Sequence, residues 1–390
     1  MFIVIFEKEK IKSVQKVFKK HLQSVQKVLK YSYKMSGEIK NTKNRRGGLG
    51  KMYQFNKDLI HVAVDSGKSS TKYAYLGQNG EIFADSIATL FKPVDLNEGF
   101  TGSADKIIIG DNAWQIGGMD GDIRFDEENS KLKENHEKLI YTAIARVLTQ
   151  HLSLDLSKTI NVSLSVNVPL EDFKDVNIKS KYVEAYLSKE DEQISLNING
   201  KDVHFKIVKV SPFYESQGAI IRNQQLINKE DNLSRTYVID CGSKNDTHIV
   251  FDNRPAPVQG KNAMGFAGIN TSLRQFALKL SGEMNDRFTI VQVENFLAGN
   301  NELKGWTKEK LYNSFADIAL ELAMNIKNTT DALQISKHNT NVLFSGGASI
   351  ILKEQLKSVY ENAGYTVHFS QDARFDNCKG ALIKGLKQHG

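Results

Sequence analysis

Two short stretches of this chain end an apolar run in Asp-x-Gly and pass directly into small polar and basic residues. They are Asp65-Ser66-Gly67-Lys68-Ser69-Ser70-Thr71-Lys72 and Asp240-Cys241-Gly242-Ser243-Lys244-Asn245-Asp246-Thr247. Such turns suit the grip of a polyphosphate. Glycine lets the backbone turn and approach an anion, successive N–H groups point at its oxygens, and hydroxyls add donors. An aspartate at the strand end can hold Mg²⁺, directly or through water, because that ion keeps several waters and uses few carboxylates. One Asp-x-Gly alone is an ordinary tight hairpin. Two of them, each closing an apolar strand, favour a paired clamp.

A third stretch is Val342-Leu343-Phe344-Ser345-Gly346-Gly347-Ala348, an apolar strand running into Gly-Gly and a helix. Free N–H groups at a helix start form an anion site, and the glycines leave room for a ring or ribose against the backbone. Alone, it would read as a plain strand-to-helix turn. Two other phosphate motifs are excluded. Gly67-Lys68-Ser69 imitates the end of a Walker A loop, but that motif wants a glycine where Val62 stands. No G-x-G-x-x-G follows a strand, so a dinucleotide site is unsupported.

The elements that must carry these turns alternate in type. Leu59–Val64 and Lys72–Leu76 read as strands, with a turn at Gly77–Gly80. Residues 95–125, rich in Gly, Asp and Asn, read as loops or a small inserted subdomain. Glu134–Leu152 has the helical period, with Leu139, Ile140, Ala143 and Val147 on one side. Thr159–Val168 reads as a strand, and Gln193–Lys209 as a hairpin around Asn199-Gly200. In the second half, Arg235–Asp240 and Thr247–Asp252 bracket the other turn. Helices follow at 267–281, 289–298 and 307–334, then a strand at Asn341–Phe344 and a helix through Ala363. This alternation predicts α/β layers.

At 390 residues the chain suits two domains of ordinary size. Its net charge of +7 is unevenly placed: residues 1–57 hold fifteen Lys/Arg against three Glu, and the remainder is net −5. The main body is therefore not expected to bind nucleic acid directly, whereas the N-terminal segment has the footprint for phosphate backbones. Residues 7–34 suit a basic amphipathic helix with Val14, Val17, Val25 and Val28 on one face, as SVQKV recurs after eleven residues. Such a helix would serve as an arm that binds membrane, DNA or a neighbouring subunit; the alternative for this segment is a solvated or disordered extension. A translation start at Met52, downstream of Arg45-Arg46-Gly47-Gly48, would make it non-native. No apolar run approaches the roughly 20 residues of a membrane helix, so no membrane span is expected, and the main body is not expected to partner a membrane. The charges after Met1–Phe6 have the wrong polarity for a secretory signal. Two cysteines, Cys241 and Cys378, form no framework, which suits the cytoplasm.

The order of these motifs resembles that of the actin, Hsp70 and sugar-kinase superfamily. Asp65–Lys72 looks like its phosphate-1 segment and Lys209–Gly218 (KVSPFYESQG) like connect-1. Asp240–Thr247 resembles phosphate-2, Asn341–Ile350 the adenosine segment, and Asp376-Asn377-Cys378-Lys379-Gly380-Ala381 connect-2. Val208–Pro212 with Glu215, Ser345–Ala348 and the tail Arg374–Gly385 are similar to the ParM/StbA plasmid-segregation family. The resemblance covers about 59–390. One departure stands out: family phosphate-2 segments often end in an aspartate seven residues after the first, where this chain has Thr247, preceded by Asp246.

What the resemblance implies is a two-domain actin-like ATPase fold, duplicated ribonuclease H-like domains around a nucleotide cleft. Domain I would comprise 58–213 plus 370–390 and domain II 214–369, after a basic extension at 1–57. ATP, with GTP as the alternative, would be gripped by Ser66, Gly67, Lys68, Ser69, Ser70, Lys72, Gly242, Ser243, Lys244 and Asn245, and by Gly346, Gly347 and Ala348 at the adenosine. Asp65 and Asp240 would hold Mg²⁺ through water, and Glu215 would orient the attacking water, with Gln217 its competitor. The implied activity is ATP hydrolysis coupled to self-association into filaments, which segregate plasmid DNA through a DNA-binding adaptor. The alternatives are a non-polymerising kinase of the same superfamily and a slow nucleotide-binding structural or adaptor protein.

Overall fold

A computed structural model describes residues 53–97, 104–118, 134–189, 192–227, 230–231, 233–253, 256–299 and 301–389. The amphipathic-helix, extension and Met52 expectations lie outside them, as do 98–103 and 119–125 of the glycine-rich stretch. The strands are β1 (Ile60–Ser66), β2 (Ser70–Leu76), β3 (Ile82–Ala88), β4 (Phe91–Val94), β5 (Asp105–Ile109), β6 (Asn112–Ile116), β7 (Ile160–Val168), β8 (Ile194–Ile198), β9 (Lys201–Tyr214), β10 (Arg235–Cys241), β11 (Asp246–Phe251), β12 (Pro257–Gly265), β13 (Thr340–Ser345) and β14 (Thr366–Phe369). The helices are α1 (Glu134–Arg146), α2 (Leu170–Lys174), α3 (Val176–Tyr186), α4 (Gln217–Arg222), α5 (Ile269–Met284), α6 (Ile290–Ala298), α7 (Lys308–Ala332), α8 (Gly347–Ile351), α9 (Lys353–Asn362) and α10 (Asp376–His389).

Two sheets share one plan. The first runs β3-β2-β1-β7-β9-β8-β5-β6-β4 and the second β12-β11-β10-β13-β14. In each, an antiparallel meander of three strands is followed by two strands parallel to its first: β7 and β9 beside β1, β13 and β14 beside β10. The duplicated α/β fold expected from the motif order is present. Strands buried on both faces read as near-continuous apolar runs, as parallel strands between layers do. In β1, Val62 and Val64 join Leu139, Ile140 and Ala143 of α1, whereas Ala63 faces Ala381 and Leu382 of α10. In β10, Tyr237 and Ile239 pack on Phe276 and Phe315, while Val238 turns to Ile220 and Tyr214. That last cluster joins both halves, because Tyr214 ends β9 of the first sheet.

The hairpin at Asn199-Gly200 is present, and both residues have positive φ, the demand of a primed two-residue turn. Several expectations need correction. The stretch 95–125 contains β5 and β6, which extend the first sheet; strands of five residues are too short to display a period, and the pairing of β5 with β8 joins residues far apart in sequence. The helix expected through Ala363 breaks at Leu352 into α8 and α9. The run Glu134–Leu152 is helical but ends in a π turn, Val147–His151. β9 continues five residues past Lys209, to Tyr214, and so delivers Glu215 from a strand end. No helix among the described residues is long and apolar enough to cross a membrane.

Candidate functional site

The two Asp-x-Gly turns are built alike. Asp65 pairs with Lys72 across the first hairpin, and Asp240 pairs with Thr247 across the second. A Cβ on Gly67 would meet the Ser70 carbonyl oxygen at 2.7 Å, and one on Gly242 the Asn245 carbonyl oxygen at 2.6 Å. Each turn therefore excludes any larger residue at its glycine. The first is held from behind by Thr89, whose hydroxyl donates to the Gly67 carbonyl at 2.7 Å and whose N–H donates to that of Ser69. Ser66 is buried, its hydroxyl bonded to His136 Nδ1 of α1 at 3.0 Å, so its side chain serves the fold. Ser69 is exposed, with Lys68, Ser70 and Lys72 half-buried. In the second turn, the Gly242 and Ser243 carbonyls accept N–H groups of Ile269 and Asn270, tying the turn to the start of α5; Lys244 is exposed and Asn245 half-buried.

The departure at the end of the second turn has a structural account. Asp246 is fully buried, accepts the Ala267 N–H at 2.9 Å and contacts His248 Nε2. His248 reaches the Tyr237 hydroxyl, which meets Thr330 at 3.0 Å, and Thr330 meets Tyr360 at 2.6 Å. This carboxylate belongs to a core network between β11, β10, α7 and α9. Thr247 takes the place that Lys72 has in the first hairpin.

The groups expected to do chemistry share one electrostatic neighbourhood. Burial pushes the Asp240 carboxyl up to about 6; Lys72 and the Asn377 hydrogen bond oppose the rise, and Asp65 and Glu215 add to it. Lys72 is thus a cation among three carboxylates drawn from both halves of the chain. Burial pushes the Cys378 thiol up as well, with Asp65 adding to the shift and Lys72 opposing it, which puts the start of α10 in the same region. Asn377, which the sequence reading quoted only within a helix-return segment, donates from Nδ2 to Asp240 Oδ2 at 2.6 Å and accepts the Ser216 N–H at 3.0 Å. Nothing in its residue type marks that double role beforehand.

At the third stretch the two glycines differ. Gly346 has φ +83°, and a Cβ there would collide with Asp240 Oδ1 and the Cys241 carbonyl. It is needed for close packing onto the second turn. Only Gly347 faces open space, while the Ala348 methyl lies in the core. The five-residue α8 has little dipole to offer an anion, so the expectation of a helix-start anion site is weakened here.

Glu215 follows β9, its N–H donating to the Val168 carbonyl of β7 at 3.0 Å. Ser216 is left-handed at φ 68°, and Gln217 opens α4 and hydrogen-bonds Tyr214. Gly218 packs directly on Asp376 and Asn377, and Gly380 on Gly218, so α4 and α10 cross with their backbones touching. Among the described residues no cluster of three or more His, Cys, Asp or Glu could cage a metal. Two carboxylates at facing strand ends, with Lys72 beside them, fit Mg²⁺ held through water and phosphate oxygens, which needs few protein ligands.

Residues 63–218, the segment from β1 to Gly218, match the family model described as actin like proteins N terminal domain. Among solved structures, the archaeal actin homolog Ta0583 is similar at 16% identity over 84% of this chain and 99% of its own, with TM-score 0.65; one of its structures is a complex with ADP. The pCBH ParM non-polymerisable quadruple mutant is similar at 18% identity, 85% and 99% coverage and TM-score 0.63. AlfA from B. subtilis plasmid pLS32, in a filament structure, is similar at 17% identity, 83% and 98% coverage and TM-score 0.55. No curated protein sequence matches the chain. The fold is that of the actin homologues, and the family match falls on the segment that holds the first turn and Glu215. Residues 63–218 are thus similar in sequence to actin-like proteins, and the described chain shares the fold of the actin homologues.

Proposed function

We propose that this protein is an ATPase that polymerises with bound nucleotide and moves plasmid DNA through a DNA-binding adaptor in the cytoplasm. The observation that carries the reading is a pair of turns of the same build, one with Asp65 opposite Lys72 and the other with Asp240, whose carboxylate Asn377 ties to the Ser216 N–H beside Glu215. In this reading the domains divide as 58–213 plus 370–390 and 214–369, and the nucleotide lies between them. Backbone N–H groups of the two turns bind phosphate oxygens, apart from those of Gly67 and Gly242, which donate to the Asp65 and Asn245 carbonyls; Ser69, Ser70 and Ser243 help, and Lys72 neutralises the phosphate charge. Asp65 and Asp240 hold Mg²⁺ through water, and the bound ion would supply charge neutralisation at the β- and γ-phosphates. Phosphoryl transfer to water needs mainly positioning and electrostatics, and Glu215 supplies the positioning. Gly347 leaves room for the adenosine; ATP is the substrate and GTP the alternative.

Ta0583 with ADP supports nucleotide binding by this fold, and the AlfA filament supports assembly. A head-to-tail contact whose rotation does not close builds such a filament. The test is high-speed sedimentation with parallel phosphate release, at varied protein concentration, with ATP, GTP or ADP. A concentration threshold for pelleting, with phosphate release that follows it, is expected. Glu215→Ala should pellet and stop releasing phosphate. Nucleotide binding without pellets under any condition would overturn the filament reading in favour of a kinase or an adaptor.

A further inference from the structure

Among the described residues, the buried side-chain nitrogens and oxygens without a hydrogen-bond partner are Asn167 Nδ2 and Oδ1, Ser216 Oγ and Gln217 Oε1. All four fall at one end of the first sheet. Asn167 is the penultimate residue of β7, fully buried, and pairs with Phe213 of β9. Ser216 and Gln217 follow three and four residues after Phe213, beyond the N–H bond that ties Glu215 to Val168. On the other side of β7, the parallel register pairs Val64 with Val166, so Asp65 and Asn167 are each the next residue on their strands. Strand alternation sends Ala63, Asp65, Ser165 and Asn167 to the face covered by α10, where Ser165 lies against Gly385. Asn167 thus stands on the central one of three adjacent parallel strands, between Asp65 and the turn that carries Glu215. Ligands of open α/β sheets gather at this carboxyl end of the strands.

A buried carboxamide with neither group bonded costs about 1–3 kcal/mol per missing partner, so a fold that keeps it there gives it something to bind. Two donor–acceptor side chains and a carbonyl oxygen match the roughly three bonds of a buried water. We infer that Asn167, with Ser216 Oγ and Gln217 Oε1, holds ordered water that fixes the Glu215 turn, making Asn167 a positioning residue for hydrolysis. This rests on the ATPase reading above. In that step a water oxygen bonds to the γ-phosphorus, the bond to the β–γ bridging oxygen breaks with ADP leaving, and the water's proton passes to Glu215.

The test compares the full chain with Asn167→Val and Asn167→Ser. It uses fluorescent-nucleotide binding, single-turnover phosphate release, and a high-resolution crystal structure of the wild type with a non-hydrolysable ATP analogue and magnesium. Water bonded to Asn167 and Ser216 is expected in the crystal. Asn167→Val should bind nucleotide within about twofold of wild type and release phosphate about 10 to 100 times more slowly, the cost of a small misplacement. Asn167→Ser, which keeps a donor and an acceptor, should recover part of the rate. Wild-type release from Asn167→Val, equal slowing in both variants with equal loss of melting temperature, or a dry carboxamide in the crystal would each overturn the inference. Should the wild type bind ATP and release no phosphate, the hydrolysis reading fails and the positioning role falls with it. The crystal then still decides whether the pocket holds water.

Discussion

The carboxamide of Asn377 joins Asp240 to the turn after Glu215: Nδ2 donates to Asp240 Oδ2 at 2.6 Å while Oδ1 accepts the Ser216 N–H at 3.0 Å. One side chain at the start of α10 therefore sets the spacing between the second turn and the first sheet. Asn377→Leu removes both bonds and leaves a half-buried carboxylate and a buried N–H short of a partner. A loss of about 1–3 kcal/mol is expected in urea unfolding, with weaker nucleotide binding. Unchanged stability would mean that water replaces the bridge.

Asp240→Asn separates stability from binding. The folded carboxyl, pushed up to about 6, holds a proton that the unfolded chain releases near its ordinary value. Between those two values the folded state binds more protons, so its stability falls as pH rises. Without nucleotide, the Asn variant should be more stable near pH 7, by up to about 3 kcal/mol, and should lose this pH slope. Its nucleotide affinity should fall. Urea unfolding at pH 5 and 7.5, with and without nucleotide, checks both halves.

His61 gives a slope of the opposite sign. Burial in β1 brings its ring down to about 4, with His389 and Lys209 adding to the shift. Between its ordinary value and about pH 4 the unfolded chain takes up a proton that the fold refuses. Stability from this residue is complete above that window and falls with decreasing pH, by up to about 3 kcal/mol. His61→Leu should flatten the acid side of the curve, measured as unfolding free energy from pH 7 to 4.5.

Gly218→Ala and Gly380→Ala test the crossing of α4 and α10. At each, the new methyl would sit on backbone atoms of the other helix. Backbone cannot yield as a flexible side chain does, so each should cost about 1–3 kcal/mol. Gly282→Ala, in α5 with open space around it, is the control and should be neutral or slightly stabilising. Melting temperatures of the three variants decide the matter.

Much of the site was legible because its parts are local. An apolar strand, Asp-x-Gly and a polar return strand define the hairpins at Asp65 and Asp240 within eight residues each, and positive φ at Asn199-Gly200 follows from residue type. The role of Asp246 was not legible. Its partners, Ala267, His248 and through it Thr330 and Tyr360, arrive from elements up to about a hundred residues away, and only packing shows that the carboxylate faces inward. Gly346 and Gly347 look equivalent in sequence, yet one packs on Asp240 and the other faces open space.

The sequence by itself determined the duplicated strand–turn–strand units, their order along the chain and the candidate groups Asp65, Lys72 and Asp240, because hydrophobic period and turn chemistry act over a few residues; Glu215 followed only from the resemblance of Lys209–Gly218 to a connect-1 segment. The tertiary structure alone decided that Asp65, Lys72 and Glu215 lie within electrostatic reach of Asp240, that Asn377 bridges two of the segments, and that Asn167 stands unpartnered between Asp65 and the Glu215 turn. These facts depend on parallel register and on helix packing between distant segments. No local pattern records them, since the contact energies that select one register are summed over the whole sheet and its covering helices.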